Sequence, residues 1–236
     1  MIDKTLLTEK CKEFGIEITA EVANKLDIYA DFLVEYNQNV NLTAITDPEG
    51  IAIKHFADSL VPFAEIEHKD LSIIDVGTGA GFPSVPLKTY DESIKLTLLD
   101  SLNKRIVFLQ KLCEKLGLKE VKFVHGRAEE VGRKPEFREK YDLATARAVA
   151  SLRELAEYCL PFVKVGGFFV SLKGGDCEAE VDEAKNAIKL LGGRIVDVKK
   201  YKLSDDASRS VIIIQKVSQT PTKYPRQSAK IAKSPL

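Results

Sequence analysis

From residue 71 onward, short β-rich runs alternate with stretches of helical periodicity, and this alternation limits the folds open to the chain. The runs are LSIIDV, IKLTLLD, VKFVH, YDLATA and GGFFVSLK, with predicted helices near 83–90, 103–116, 128–132, 151–160 and 176–191. Such alternation is typical of a parallel sheet covered on both faces by helices. RIVDVKKYKL and RSVIIIQKV follow, separated only by the turn-rich SDDAS, so we predict that they pair antiparallel. The pattern predicts one doubly wound α/β domain.

The segments on either side of this alternation have different character. Before it, apolar side chains recur at intervals of three and four residues between Val22 and Tyr36, and Asp47 followed by Pro48 opens a further helix. After it, Pro221 and Pro225 indicate an extended chain. We therefore expect a helical extension over 1–70, the α/β domain over 71–217 and an extended basic tail over 218–236.

Charge is balanced over the whole chain but not along it. Lys plus Arg and Asp plus Glu each number 35, so any binding of a polyanion must be local. Residues 207–236 carry 6 basic side chains and no acidic one, which indicates either a phosphate-bearing partner or a solvated terminus. Within the tail, Lys223, Tyr224 and Arg226 are candidate RNA contacts, because a stacking face lies beside phosphate-binding charges.

Cysteine and histidine spacing gives no sign of a metal site. The four cysteines are far apart, and the three histidines share no ligand spacing, so we assign no metal. The N-terminus interleaves charges, and no apolar stretch approaches the roughly 18 residues of a membrane span. We expect a cytoplasmic protein with reduced thiols and no membrane partner.

A glycine-rich turn, DVGTGAGFP, follows the first predicted strand and opens a helix. In a doubly wound sheet this turn lies at the carboxyl edge, where ligands bind. The dinucleotide fingerprint requires a third glycine, but Phe82 stands there and Pro83 removes an amide donor, so a pyrophosphate ligand is disfavoured. Gly77, Gly79 and Phe82 are candidate ligand contacts; a turn that serves only chain reversal is the alternative.

The next two strand ends carry groups suited to an adenosine. Asp100 closes the second strand, where its carboxylate can accept both ribose hydroxyls or, alternatively, cap the helix near Asn103. After the third strand, Ala128 and Glu129 offer a backbone amide and a carboxylate for an adenine edge. Three consecutive strand ends therefore point to one adenosine-containing ligand.

The fourth strand end, Thr145–Ala150, limits the methyl-transfer chemistry that the chain could support. It lacks the Asn/Asp-Pro-Pro-aromatic element used for amine methylation, and no cysteine nucleophile for a pyrimidine carbon lies near it. Methylation of guanine N7 requires neither of these groups, because the N7 lone pair is already nucleophilic. It is enough to position the methyl donor in line with N7 and to exclude water. Arg147 would hold a methionine carboxylate or donate to guanine O6; a capping or surface salt-bridge arginine is the alternative. We assign no general base.

These residues resemble the RsmG family, formerly called GidB, of bacterial 16S rRNA guanine-N7 methyltransferases. The matching segments are Tyr36–Asn37 with Asn41–Ile45, Lys54–His55 with Asp58–Leu60, Asp75–Pro83, Lys104–Arg105 with Phe108–Leu109, Gly126–Glu129, Arg147–Ala150, Leu172–Gly174, and Thr220–Pro221 with Lys223–Arg226. The resemblance implies a class I S-adenosylmethionine-dependent fold, a Rossmann-like, mostly parallel seven-stranded sheet with an antiparallel last strand. It also implies methylation of guanine 527 in the decoding-region loop of 16S rRNA.

The resemblance further implies S-adenosylmethionine as cofactor and 16S rRNA or a small-subunit particle as partner. By motif, the cofactor contacts fall on Gly77, Phe82, Asp100, Ser101, Leu102, Ala128, Glu129 and Arg147. The chain departs from the family at Ser84, where glycine is usual, and at Gln227–Lys233, which lacks the usual glycine and proline. We expect truncation of the basic tail after Val217 to weaken RNA methylation and leave cofactor affinity unchanged. The alternatives are methylation of another RNA or a small molecule, a noncatalytic RNA-binding protein, and an NAD-type oxidoreductase.

Overall fold

Seven strands form the centre of the protein, for which a computed structural model describes residues 1–64, 66, 68–147, 150–204 and 207–236. The strands are β1 (Ser72–Val76), β2 (Lys95–Asp100), β3 (Val121–His125), β4 (Tyr141–Arg147), β5 (Val163–Gly174), β6 (Gly193–Ser204) and β7 (Ala207–Lys216). They lie in one sheet in the order β3-β2-β1-β4-β5-β7-β6. Five strands pair in parallel, and β7 is antiparallel to both of its neighbours. The predicted fold class is confirmed.

The strand order reverses direction beside β1. From β1 the chain builds outward to β2 and β3, then returns to place β4 on the other side of β1. A crevice therefore forms at the carboxyl ends of β1 and β4, where doubly wound sheets bind ligands. The last two runs form the predicted antiparallel hairpin, with Lys199 opposite Val211; Asp205 and Asp206 of its turn lie outside the described residues.

The helices begin and end close to the sequence signals. They are α1 (Lys4–Glu13), α2 (Ala20–Val40), α3 (Pro48–Gly50), α4 (Asp58–Leu60), α5 (Ser84–Tyr90), α6 (Asn103–Lys115), α7 (Ala128–Val131), α8 (Leu152–Cys159), α9 (Glu178–Leu190) and α10 (Ser228–Lys233). Thr19 caps α2 by accepting a hydrogen bond from the Val22 amide, and Asn41 ends it in the left-handed conformation. Ser151 and Glu154 form a capping box at the start of α8.

The segment predicted as one helix after Pro48 is helical but irregular. Between α3 and α4 the backbone widens into a π-helix, Ile51–Ala57, and Val61–Phe63 tighten into a 3₁₀ turn. Single π-helical turns are frequent at functional sites. This one carries His55, which faces the ligand cleft described below.

Alternate strand residues supply two hydrophobic cores, one on each face of the sheet. Ile73 belongs to the core that also contains Leu26 and Tyr29 of α2 and Phe108 of α6. Ile74 belongs to the opposite core, with α8 and α9. Successive side chains of β1 thus point to opposite faces of the sheet, and both faces are apolar because helices cover each of them. The N-terminal helices share a core with the sheet.

The predicted extended conformation of the tail is wrong for Ser228–Lys233, which form α10. The two prolines precede this helix and so do not interrupt its hydrogen bonds. Tyr224 packs into the core around α8 and α9, and Arg226 pairs with Glu157 of α8. These contacts fold the tail back onto the body, which periodicity alone could not reveal.

Candidate active site

A cleft of about 710 Å³ opens at the carboxyl ends of β1 to β4. It is lined by eight of the nine residues predicted to bind a cofactor: Gly77, Gly79, Phe82, Asp100, Ser101, Ala128, Glu129 and Arg147. The ninth, Leu102, is absent from the lining; its side chain is 43% exposed and its amide donates to Asp100. The structure therefore brings together residues from four strand ends that are far apart in sequence.

The glycine-rich turn between β1 and α5 leaves open space on the cleft side and is tightly packed behind it. Gly79 has φ +60°, and a Cβ atom there would find only the Gly77 carbonyl oxygen, at 4.0 Å. Gly81 has φ +100°, and its Cβ would lie 2.9 Å from the Tyr29 hydroxyl and 2.7 Å from Cγ2 of Val85. The turn thus does more than reverse the chain, because it gives a ligand access to backbone at Gly79.

Asp100 ties this turn to the start of α6. Its carboxylate is 2% exposed and accepts hydrogen bonds from the amides of Gly79 and Leu102, each at 2.9 Å. Arg105 adds an ion pair at 3.3 Å. The bond to Leu102 orients the residue before α6, but the helix has no side-chain cap hydrogen bond, so Asp100 does not cap it. The ribose role stays a prediction, made at a carboxylate that borders the cleft.

Arg147, at the end of β4, is held in place by buried charge. Its guanidinium lies 3.2 Å from Asp58 Oδ2, while Arg209 Nε lies 2.7 Å from Oδ1 of the same carboxylate. Burial lowers the pKa of Arg147, and the Asp58 charge opposes that effect. Asp58 is 5% exposed, so this is not the surface salt bridge considered as an alternative. Ala148 and Val149, which follow in the predicted motif, lie outside the described residues.

Phe82 is covered by stacked rings. The His55 ring stacks on it at 4.4 Å between centroids, the Tyr29 ring stacks at 5.3 Å, and the Arg147 guanidinium lies 4.8 Å from its centroid. The bulky residue that replaces the dinucleotide-fingerprint glycine therefore connects α2, the π-helix and β4 at the cleft. A phenylalanine in this position is a packing residue as well as a wall of the cleft.

His55 presents a neutral imidazole to the cleft. Burial, reinforced by the Arg147 charge, lowers its pKa to about 4. Its Nε2 lies 2.8 Å from the Thr43 hydroxyl, and Asn37 Oδ1 accepts from the Thr43 amide at 2.9 Å. Asn37 lies in the last turn of α2, where its Oδ1 also accepts from the Leu42 amide, so this side chain holds the loop that follows the helix.

Asp75 lies directly behind the glycine turn, fully buried. Its Oδ2 accepts from the Thr78 hydroxyl at 2.9 Å, and burial raises its pKa to about 7. Because it does not line the cleft, we assign it the role of supporting the turn.

The candidate RNA-binding residues of the tail are placed differently from the sequence prediction. Tyr224 is 6% exposed in the core, so its ring is not available to stack on a base in this conformation. Arg226 binds the fully buried Glu157 rather than presenting its charge to solvent. Both predictions are corrected here, because burial and ion pairing occupy the groups on which they rested. Lys223 is exposed, and RNA contact there stays a prediction.

Sequence reasoning missed several residues that line the same cleft. They are Thr43, Arg105, Tyr158 and Ser228. Tyr158 and Ser228 belong to no motif found in the sequence, and the chain's return through α8 and α10 places them in the cleft. Thr43 and Arg105 lie in segments that carry the family resemblance, but no role in the site is predicted for either from the sequence. The cleft is thus built partly by the C-terminal segment.

The described part of the chain contains neither a metal-binding cluster nor a membrane-spanning helix. Among these residues, no group of three or more His, Cys, Asp or Glu side chains is arranged to hold a metal ion. Within the same ranges, no helix has both the length and the apolar character needed to cross a bilayer. The four cysteines are buried free thiols.

Comparison with known sequences identifies close relatives. The family model described as rRNA small subunit methyltransferase G matches residues 22–211. A protein of that name from Alkaliphilus metalliredigens is 49% identical over 238 residues, covering 100% of both chains. Another from Acetivibrio thermocellus is 51% identical over 234 residues, covering 99% of this chain and 96% of the relative.

Solved structures show the same fold at low sequence identity. TYW2 from M. jannaschii, determined in complex with AdoMet, has a TM-score of 0.56 at 14% identity, covering 74% of this chain and 80% of that one. A SAM-dependent methyltransferase from Aquifex aeolicus has a TM-score of 0.54 at 20% identity, covering 74% and 96%. At these identities the likeness concerns the fold alone.

Proposed function

The chain belongs to the rRNA small subunit methyltransferase G family, and on this basis we propose that it transfers a methyl group from S-adenosylmethionine to N7 of a guanine in 16S rRNA. The observation that carries the proposal is identity near one half over the full length of relatives bearing that name. Guanine 527 in the decoding-region loop is the nucleotide that family resemblance implies.

The cleft suits S-adenosylmethionine in size and in the character of its walls. About 710 Å³ lies within the usual range of small-molecule sites. The open approach at Gly79 admits a ligand close to backbone, and Asp100, Glu129 and Arg147 place two carboxylates and a guanidinium around it. Asp100 can accept from the ribose hydroxyls, Glu129 from the adenine edge, and Arg147 can donate to the methionine carboxylate. When bound, the cofactor supplies a methyl group on a positively charged sulfur.

The protein's own contribution is to orient and to exclude water. Guanine N7 carries a free lone pair, so no proton has to be removed before attack and no general base is assigned. His55 is uncharged at neutral pH because of its lowered pKa, which keeps a second positive charge away from the Arg147 side of the cleft. Alignment of donor and acceptor in a restricted cleft accounts for rate enhancement in such a reaction.

The proposed partner is 16S rRNA, either free or within a small-subunit particle. The proposal also locates the protein in the cytoplasm, because its RNA substrate is made and assembled there. The balanced overall charge supports local rather than global attraction of RNA.

The decisive experiment is incubation of the purified protein with radiolabelled S-adenosylmethionine and small-subunit material from cells that lack this gene. Label would be mapped by strand cleavage specific for N7-methylguanine. We expect one labelled guanine in the decoding-region loop. Deproteinised 16S rRNA and intact particles, tested in parallel, separate the two forms of substrate.

A control titration distinguishes the competing functions. S-adenosylmethionine at 100 times its dissociation constant stabilises a binding protein by about 2.7 kcal/mol, whereas NAD is expected to give no thermal shift. Cofactor binding without RNA label would redirect the proposal to another RNA or a small-molecule acceptor. A thermal shift with NAD alone would favour the oxidoreductase.

A further inference from the structure

Part of the cleft wall is supplied by the C-terminal segment Arg226–Leu236. Ser228, the first residue of α10, lines the cleft. Its hydroxyl accepts a hydrogen bond from Arg127 at 3.1 Å, across 101 residues of sequence. Arg127 itself lines the cleft and directly precedes Ala128 and Glu129. The tail therefore contacts the residue that directly precedes the predicted adenine-binding residues.

An ion pair with a wholly buried partner fixes the start of this segment. Glu157 of α8 is 0% exposed and accepts from three groups of Arg226: the amide at 2.7 Å, Nε at 2.9 Å and Nη2 at 2.6 Å. A carboxylate without solvent requires such compensation. Tyr158, the next residue of α8, lines the cleft. The pair thus couples the position of the tail to a helix that borders the ligand.

The end of the segment is fixed on the same helix. Arg153 of α8 donates from Nε to the main-chain oxygen of Leu236 at 2.5 Å and from Nη2 to the carbonyl of Pro235 at 2.7 Å. Ile231 between these anchors is fully buried. The segment is therefore held at both ends and in the middle, which gives Ser228 a defined position.

The strand order indicates which end of the cofactor Ser228 faces. Arg147 ends β4 on one side of β1, and Asp100 ends β2 on the other. Arg127 follows β3, the strand at the far edge beyond β2. A ligand with its ribose at Asp100 and its carboxylate at Arg147 places its adenine toward β3, beside Arg127 and Ser228.

We propose that Ser228 is a cofactor-binding residue that closes the adenine end of the cleft, and that Glu157 and Arg226 are the positioning pair that holds it there. This inference rests on the proposed function, since it takes S-adenosylmethionine as the ligand. It assigns this part of the basic tail to cofactor binding rather than to RNA.

The test compares Ser228→Phe with Ala229→Phe in the full-length protein. Ala229 is the next residue and is exposed, so the same ring is added on the same helix outside the cleft. In calorimetric titration with S-adenosylmethionine, the dissociation constant should rise at least tenfold for Ser228→Phe and change less than twofold for Ala229→Phe.

A second variant tests the positioning pair. Arg226→Lys should raise the KM for S-adenosylmethionine several-fold while kcat at saturating cofactor stays within twofold.

The outcomes separate this inference from the proposed function. If the unaltered protein fails to bind S-adenosylmethionine, the proposed function is wrong. If it binds and Ser228→Phe binds equally well, the inference is overturned, and weaker RNA binding by that variant would assign Ser228 to RNA instead.

A milder variant covers the case in which the added ring destabilises the fold. If the thermal unfolding midpoint of Ser228→Phe lies below that of Ala229→Phe, Ser228→Val is tested in its place. The expected loss of affinity is then about threefold, and an unchanged affinity would again overturn the inference.

Discussion

At the scale of single residues, burial determines which groups in the cleft carry charge. Arg147 has a buried carboxylate partner in Asp58, whereas His55 stacks on Phe82 beside that positive charge. Desolvation penalises the protonated imidazole, and the arginine adds repulsion. At similar exposure, Arg147 is therefore charged and His55 neutral, because Arg147 has a counterion and His55 does not.

The lowered pKa of His55 predicts a loss of stability in acid. Between pH 6.5 and about 4 the unfolded chain binds a proton that the folded protein does not, so the contribution of His55 to stability is complete above this window and falls through it. The shift corresponds to about 3 kcal/mol. His55→Gln should remove this pH-dependent contribution. In urea unfolding between pH 4.5 and 7.5, the free energies of unfolding of the unaltered protein and of His55→Gln should therefore converge as the pH falls. Parallel curves would contradict the assignment.

Replacement of Arg147 should reveal which ligand group it binds. Loss of a charge-assisted hydrogen bond of about 1.5–3 kcal/mol predicts at least tenfold weaker S-adenosylmethionine binding by Arg147→Ala. Binding of 5′-methylthioadenosine, which has no carboxylate, should be unchanged. Arg209→Ala is the matched control, because Arg209 pairs with the same Asp58 but is not among the described residues lining the cleft. Unchanged cofactor affinity with a raised KM for RNA would instead assign Arg147 to guanine O6.

At the scale of elements, the tail behaves as part of the body through its contacts with α8. Truncation after Val217 would remove Tyr224 from the core and leave Glu157 buried without its cation. Lys216 would also lose the Thr220 hydroxyl, 2.8 Å from its Nζ. The structure therefore predicts that such a truncation destabilises the fold, in contrast to the unchanged cofactor affinity expected from sequence.

A double-mutant cycle on the Glu157–Arg226 pair measures this coupling. Arg226→Met should lower the free energy of unfolding by about 3 kcal/mol, because an unpaired carboxylate stays in the core. Adding Glu157→Leu should restore most of that loss, since two apolar side chains can replace a buried pair. Chemical denaturation at pH 7 gives each value. Equal stability of Arg226→Met and the unaltered protein would show that the pair contributes little.

At the scale of the whole molecule, the N-terminal helices and the sheet share one core. Tyr29 stacks on Phe82 and donates a hydrogen bond to the carbonyl of Ala80. Phe32 stacks on Phe108 of α6 at 5.5 Å between centroids. We propose that residues 1–70 are a sequence-distinct but structurally dependent part of the methyltransferase unit.

Removal of residues 1–70 should therefore leave a chain that does not fold by itself. The fragment 71–236 would expose apolar side chains of α5 and α6 that α2 covers in the full protein. Each Å² of apolar surface transferred to water costs about 25 cal/mol of folding free energy. We expect no cooperative thermal transition by circular dichroism and strong binding of a hydrophobic dye. A fragment with a sharp transition and intact cofactor binding would show that the division at residue 70 separates an independent domain.

The fold class, and the meeting of most predicted cofactor contacts in one cleft, follow from the sequence alone. Strand and helix periods are local properties, and groups at successive strand ends meet because parallel strands share one carboxyl edge. Gly77, Asp100 and Arg147 could thus be placed together without coordinates, and the cleft contains all three.

The partners of charged groups and the course of the tail, in contrast, depend on how the chain packs. Whether Arg226 faces RNA or Glu157, and whether His55 is charged, depends on contacts between residues more than 60 positions apart. Ser228 reaches the cleft for the same reason, through Arg127 on one side and the anchoring of its segment on α8. Charge and burial are set by such long-range packing, so a local pattern cannot report them.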